Sequence, residues 1–193
     1  MNKLTKSRLV LIGLILIFFL PIALSWYLVF FSDYKNKMNS IENGILVKPV
    51  IPVGEIESAK LEDNSEIETI SGRWTLVFFV DKECDDKCNK KLYQVRQIRL
   101  ALGKNVDKVD RLLISNNVLD WSSLSQDYLG QKILDNSMKD FARVKKSFNS
   151  IAQFNDTSFY LIDPYGFIMM QYQDDIEPKG IIRDIERLIR NAG

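Results

Sequence analysis

Cys84 and Cys88 are the two cysteines of this chain, four residues apart in Cys84-Asp85-Asp86-Lys87-Cys88. Thiols at that spacing have three chemistries open to them. They can lock as a structural disulfide, cycle as a redox couple, or hold Cu(I), a soft ion that accepts low coordination numbers. The structural disulfide is the weakest of the three, because closing so short a loop removes little chain entropy. Cysteines at i and i+4 of a helix share a side. At a helix N-terminus the backbone N–H groups and the helix dipole favour the thiolate. Asp85 and Asp86 oppose that effect, while Lys82 and Lys87 support it.

The other side chains narrow the chemistry. The 193 residues include no histidine. That excludes His general bases, Ser-His and Cys-His nucleophile pairs, and His-ligated zinc or haem. Charge is balanced, 26 basic against 25 acidic residues, which gives no footprint for nucleic acid. Met169 and Met170 are neighbours on an expected strand and so point to opposite faces, where one thioether could meet a metal; core filling is the commoner use. Arg96 and Arg99 are neighbours on an expected helix and read as a solvated face rather than a docking site. Asp174-Asp175 supplies too few ligands for calcium.

The elements that must position the dithiol are legible around it. Trp74-Thr75-Leu76-Val77-Phe78-Phe79-Val80 is an unbroken apolar run, as for a strand buried on both faces. After the cysteines, Leu92, Val95, Ile98 and Leu102 recur at helical spacing, predicting a helix over Asn89–Leu102 that stops at Gly103. Arg111–Ser115 reads as a second buried strand, which makes a parallel βαβ unit. Residues 130–147 are predicted helical from Ile133, Leu134, Met138, Phe141 and Val144. Ser158–Ile162, the turn Asp163-Pro164-Tyr165-Gly166 and Phe167–Tyr172 predict a hairpin, and Pro178 opens a last amphipathic helix. The stretch before Ser71 carries Glu55, Glu57, Glu62, Asp63, Glu66 and Glu68 and reads as a solvated linker and first hairpin rather than a docking surface.

Leu9 to Phe31 is uncharged and long enough to cross a bilayer, with Pro21 inside and Trp26 and Tyr27 near one end. A cleaved signal peptide would have a shorter apolar core and a better cleavage site than Ala23-Leu24-Ser25, so an uncleaved single-pass anchor is the expectation. Lys3, Lys6 and Arg8 before the segment outweigh Lys35 and Lys37, offset by Asp33, after it. That asymmetry predicts a cytoplasmic N-terminus and, in a bacterial inner membrane, a periplasmic domain. The expected organisation is 1–8 cytoplasmic, 9–31 transmembrane, 32–50 linker and 51–193 one α/β domain.

Together the apolar segment, Gly72-Arg73-Trp74-Thr75-Leu76-Val77-Phe78-Phe79, the Cys84/Cys88 spacing and Phe159-Tyr160-Leu161-Ile162-Asp163-Pro164-Tyr165-Gly166 resemble the Sco/SenC family. Those proteins are membrane-anchored, thioredoxin-fold, copper-handling assembly factors for cytochrome c oxidase. The resemblance covers most of the chain from Ile51 onward. It implies a thioredoxin-like domain behind one transmembrane helix. It implies thiol exchange or Cu(I) binding by Cys84 and Cys88, and a partner that is an oxidase subunit or another copper/thiol assembly factor. The segment Lys91–Lys104 also resembles a His-less membrane-anchored relative associated with proteobacterial oxidase assembly genes. The chain departs from the family pattern at three places. Asp85 and Asn89 stand where the family usually has proline. The family's copper-ligating histidine falls, counting back from Pro164, at Asn155, a poor soft-metal ligand. Separately, the thioredoxin cis-proline signature is missing near Asn155, which counts against thioredoxin-like handling of substrates. Only Cys84 and Cys88 therefore carry over as site residues, for catalysis or for Cu(I). A general periplasmic thiol-disulfide oxidoreductase and a non-catalytic interaction module are the competing expectations.

Overall fold

The computed structural model describes residues 3–30, 42–61, 69–80, 84–118 and 128–191. Lys3–Phe30 is a single helix, α1, with Pro21 inside it. Its segment Val10–Tyr27 has a mean hydropathy of 2.4, apolar and long enough to cross a membrane. The residues from Glu42 onward form a separate compact unit.

That unit is built on seven strands: β1 (Ile45–Pro52), β2 (Lys60–Leu61), β3 (Trp74–Val80), β4 (Val109–Ser115), β5 (Lys132–Asp135), β6 (Phe159–Ile162) and β7 (Phe167–Tyr172). They form one sheet in the order β1-β7-β6-β3-β4-β5-β2. Strands β3, β4 and β5 run parallel, and the remaining neighbours pair antiparallel. β3 is the centre of the sheet and all seven of its residues are buried. Helix α2 (Asp86–Ala101) and a 3-10 turn (Gly103–Lys108) carry the chain from β3 to β4. The later helices are α3 (Phe141–Asn149) and α4 (Pro178–Asn191).

Strand alternation sorts the core into two layers. Leu76, Phe78, Leu113 and Leu161 face α2 and α4, where they meet Leu92, Val95, Ile98, Ile181 and Ile185. Val77, Phe79, Leu112, Ile114 and Tyr160 face the other way, against Val144 and Phe148 of α3. There, the rings of Phe148 and Tyr160 meet Phe79 edge-on at centroid distances of 4.9 and 5.9 Å, a favoured aromatic geometry.

Three expectations change. The predicted helix over 130–147 is two elements, β5 and α3. The apolar spacing of Ile133 and Leu134 also suits a short strand buried on both faces, and parallel pairing with β4 at Leu113↔Ile133 and Ile114↔Leu134 decides for it. Pairing in the sheet begins at Ile45, inside the stretch 32–50 expected as linker, because β1 runs along β7. Finally, Met169 and Met170 do not point to opposite faces. The register of β6 and β7 shifts there, from Leu161↔Met170 to Ile162↔Ile168. Such a bulge sets two residues against one and breaks the alternation. Both methionines pack on the layer beneath α2 and α4. The acidic positions Glu62, Asp63, Glu66 and Glu68, and Asp33, Lys35, Lys37 and Lys82, lie outside the described residues.

Candidate functional site

β3 delivers the chain to the start of α2, and the two cysteines straddle that junction. Asp85 is the N-cap: its backbone is extended, and its carboxylate accepts the Cys88 N–H at 2.9 Å. Cys84 therefore precedes the helix and Cys88 lies in its first turn. The helix begins three residues before the expected Asn89, because the Asp85 side chain satisfies a first-turn N–H. The sulfurs are joined in a disulfide, with the Cα atoms 5.0 Å apart.

The two sulfurs are not equivalent. Cys84 is half-buried, whereas Cys88 is 3% exposed and belongs to the layer beneath α2. A reagent from solvent meets Cys84. The Asn89 carboxamide oxygen lies 3.8 Å from Cys84 Sγ. A disulfide sulfur has no proton to donate, so this contact becomes a hydrogen bond only when Cys84 is a thiol.

A groove opens beside Cys88 between α2 and the loop before β6. Asp85, Lys87, Lys91, Asp156 and Asp174 line it. Lys91 spans it, donating to the Thr157 carbonyl at 2.8 Å with the Phe159 ring 5.7 Å away. Burial pushes the Lys91 ammonium below the usual lysine range, while Asp174, Asp156 and Asp85 act in the opposite direction. Sequence reasoning did not single out Lys91, Asp156 or Thr157. The one available signal was the position of Lys91, three residues after Cys88 on the same helix.

The residues do not fit a three-ligand copper site. The Asn155 carboxamide oxygen, at the family's histidine position, accepts from the Thr157 N–H at 3.0 Å and hydroxyl at 2.9 Å, closing its own turn. The Asn155 backbone exchanges hydrogen bonds with the Tyr160 hydroxyl. The Met170 sulfur contacts the Tyr172 hydroxyl at 3.3 Å, within the core. Among the described residues, no group of three or more His, Cys, Asp or Glu could hold a metal. Asp174 and Asp175 are exposed, and Arg99 is turned to the Val109 carbonyl at 2.8 Å.

A protein-family model described as transmembrane-like, thioredoxin-like, C-terminal domain matches residues 74–192. No curated protein matches the chain. Among solved structures, Arabidopsis thaliana ScoI with copper bound superposes with a TM-score of 0.53 at 16% identity, covering 77% of this chain and 99% of that one. BsSco, a member of the Sco family of cytochrome c oxidase assembly proteins in which a disulfide switch was identified, gives 0.52 at 17% identity, covering 76% and 96%. The thioredoxin domain of a thiol-disulfide oxidoreductase from Bacteroides vulgatus gives 0.50 at 17% identity, covering 75% and 98%. The shared property at these identities is the fold, a thioredoxin-like mixed α/β domain of the kind found in Sco/SenC proteins.

Proposed function

The chain belongs to the family of transmembrane-like, thioredoxin-like C-terminal domains, and from that premise we propose that it is a membrane-anchored thiol-exchange factor for assembly of a respiratory cytochrome c oxidase. The observation that carries the reading is the Cys84–Cys88 disulfide, with one accessible and one buried sulfur at the head of α2. The oxidase setting is supported by the Sco-type spacing and by the Sco proteins among the structural neighbours. In this reading α1 is the anchor, its N-terminus is cytoplasmic and the domain works in the periplasm.

The chemistry follows from the asymmetry of the pair. A thiolate of the partner attacks Cys84 Sγ. The Cys84–Cys88 bond breaks, its electron pair goes to Cys88 Sγ as a thiolate, and a mixed disulfide joins Cys84 to the partner. The partner's second thiolate then attacks its own sulfur in that mixed disulfide and expels the Cys84 thiolate. The partner has lost two electrons and the pair has gained them. The reverse sequence, starting from reduced Cys84, reduces a partner disulfide such as one between the cysteines of an oxidase copper site. No copper step is invoked: Asn155 is committed to Thr157, so the residues present do not complete the family's three-ligand site.

The first test is trapping in membranes. A Cys88→Ser full-length protein lacks the sulfur that resolves the mixed disulfide, so it should accumulate a covalent adduct through Cys84 containing an oxidase subunit or another thiol assembly factor. Non-reducing gels and mass spectrometry would identify the adduct, and Cys84→Ser should give none. Adducts spread over many unrelated proteins would favour a general oxidoreductase, the reading to which the Bacteroides vulgatus neighbour points. Normal oxidase activity in a Cys84→Ser/Cys88→Ser strain would leave a non-catalytic interaction module.

A further inference from the structure

Opening the disulfide leaves a charge in an awkward place. Cys88 Sγ sits in the packed layer beneath α2 and is shielded from solvent. A buried thiolate is costly unless a positive group stands by it. The Cys88 backbone N–H is already bonded to Asp85, whose negative charge works against a thiolate. The charged groups facing this groove are Asp85 at the head of α2, Lys87, Lys90 and Lys91 on it, Asp156 from the loop before β6, and Asp174 from the turn after β7. Of the three cations, Lys87 and Lys90 are exposed and Lys91 is half-buried. Lys91 is also one turn from Cys88 and is held across the groove by the Thr157 carbonyl.

We propose that Lys91 is the counter-charge for Cys88, holding its ammonium by the groove to stabilise the thiolate expelled when Cys84 is attacked. This rests on reading the pair as an exchanging disulfide. In the closed state the sulfurs are neutral and the Thr157 carbonyl holds the ammonium. When the S–S bond breaks, one incoming thiolate is consumed and one thiolate, Cys88, is released. Lys91 stays protonated, so charge and atoms balance without a proton donor. A leaving thiol of lower pKa departs faster, so the ammonium accelerates opening. Lys91 is a positioning residue, acting on the leaving sulfur and not on the partner.

The test uses full-length protein in detergent micelles, with the disulfide opened by dithiothreitol and followed by thiol release. Lys91→Met should open more slowly than wild type by roughly threefold or more. That is the consequence of losing about one unit of stabilisation from an opposite charge at Brønsted sensitivity near one half. The deficit should shrink as pH rises and the Lys91 ammonium, held below the usual lysine range by burial, loses its proton; the ionisation of dithiothreitol is common to both proteins and cancels in the comparison. Lys91→Arg keeps the charge and should stay close to wild type. Thermal melts check that both variants are folded. Equal rates for Lys91→Met and wild type overturn the assignment, and so do equal losses in Lys91→Met and Lys91→Arg. The dithiothreitol rate needs no cellular partner, so its failure is distinct from a failure of the trapping experiment.

Discussion

At the scale of single residues, Asp85 combines two effects that substitution can separate. Its oxygen caps α2 by accepting the Cys88 N–H, and its charge opposes a thiolate beside the pair. Asp85→Ser keeps a capping oxygen and removes the charge. It should speed opening of the disulfide by dithiothreitol by roughly threefold, on the same charge argument, and leave the melting temperature near wild type. Asp85→Ala should show the faster chemistry together with a loss of about 1 kcal/mol of stability, read as a drop of about 2–4 °C in the melt. Sequence alone was enough to identify the cysteine pair and the opposed charges at its flanks. Lys91 and Thr157 were not legible, because a side chain reaching a carbonyl 66 residues away leaves no local pattern. Asn155 was legible as a missing ligand, but its commitment to Thr157 was not.

Among the elements, those nearest the dithiol were the most legible. β3 spans the continuous apolar run from Trp74 to Val80, and α2 buries Leu92, Val95 and Ile98 as their spacing requires. β5 was misread because four residues cannot establish a period, and its neighbours in the sheet come from distant sequence. A second element-level feature is the clasp between α3 and the segment after β1. Arg143 donates to the carbonyls of Val53 and Glu55 and to the Asp140 carboxylate. Asp140 also accepts the Glu57 N–H at 2.8 Å and the Ser58 hydroxyl at 3.0 Å. Burial acts to raise the Asp140 carboxyl, but Arg143, the Glu57 N–H and the Ser58 hydroxyl outweigh it and hold it below the ordinary value of 3.8. For a carboxylate depressed in the fold, the stabilisation is complete above its unfolded pKa and is lost as pH falls through the folded one. The clasp should therefore weaken below about pH 4. Urea midpoints measured between pH 6 and pH 3 should fall more steeply at the acid end for wild type than for Asp140→Asn, which starts lower and has no such group to titrate.

For the domain as a whole, the contact of widest reach is made by Asp184 on α4. Its side chain is 2% exposed and accepts the backbone N–H groups of Asn43 at 2.8 Å and Gly44 at 3.0 Å, and the Asn43 carboxamide at 2.9 Å. Burial together with the Asp184 carboxylate holds the Tyr172 phenol above its ordinary range. Tyr172 packs so closely on Gly44 that a Cβ there would overlap its ring. Asp184→Asn would turn a donor towards N–H groups that need an acceptor. It should cost about 1–3 kcal/mol, measured as a lower denaturant midpoint with an unchanged slope. No sequence period announces this link, since its partners stand 140 residues apart. That distance sets an order for biosynthesis. Cys84 and Cys88 are close enough to pair as soon as both are made, whereas the Asn43–Gly44 backbone waits for Asp184. At roughly 5–20 residues per second, that interval is on the order of ten seconds. During it Cys88 lacks the residues of α4 that share its packed layer, so its sulfur is open to reagents that the folded domain excludes.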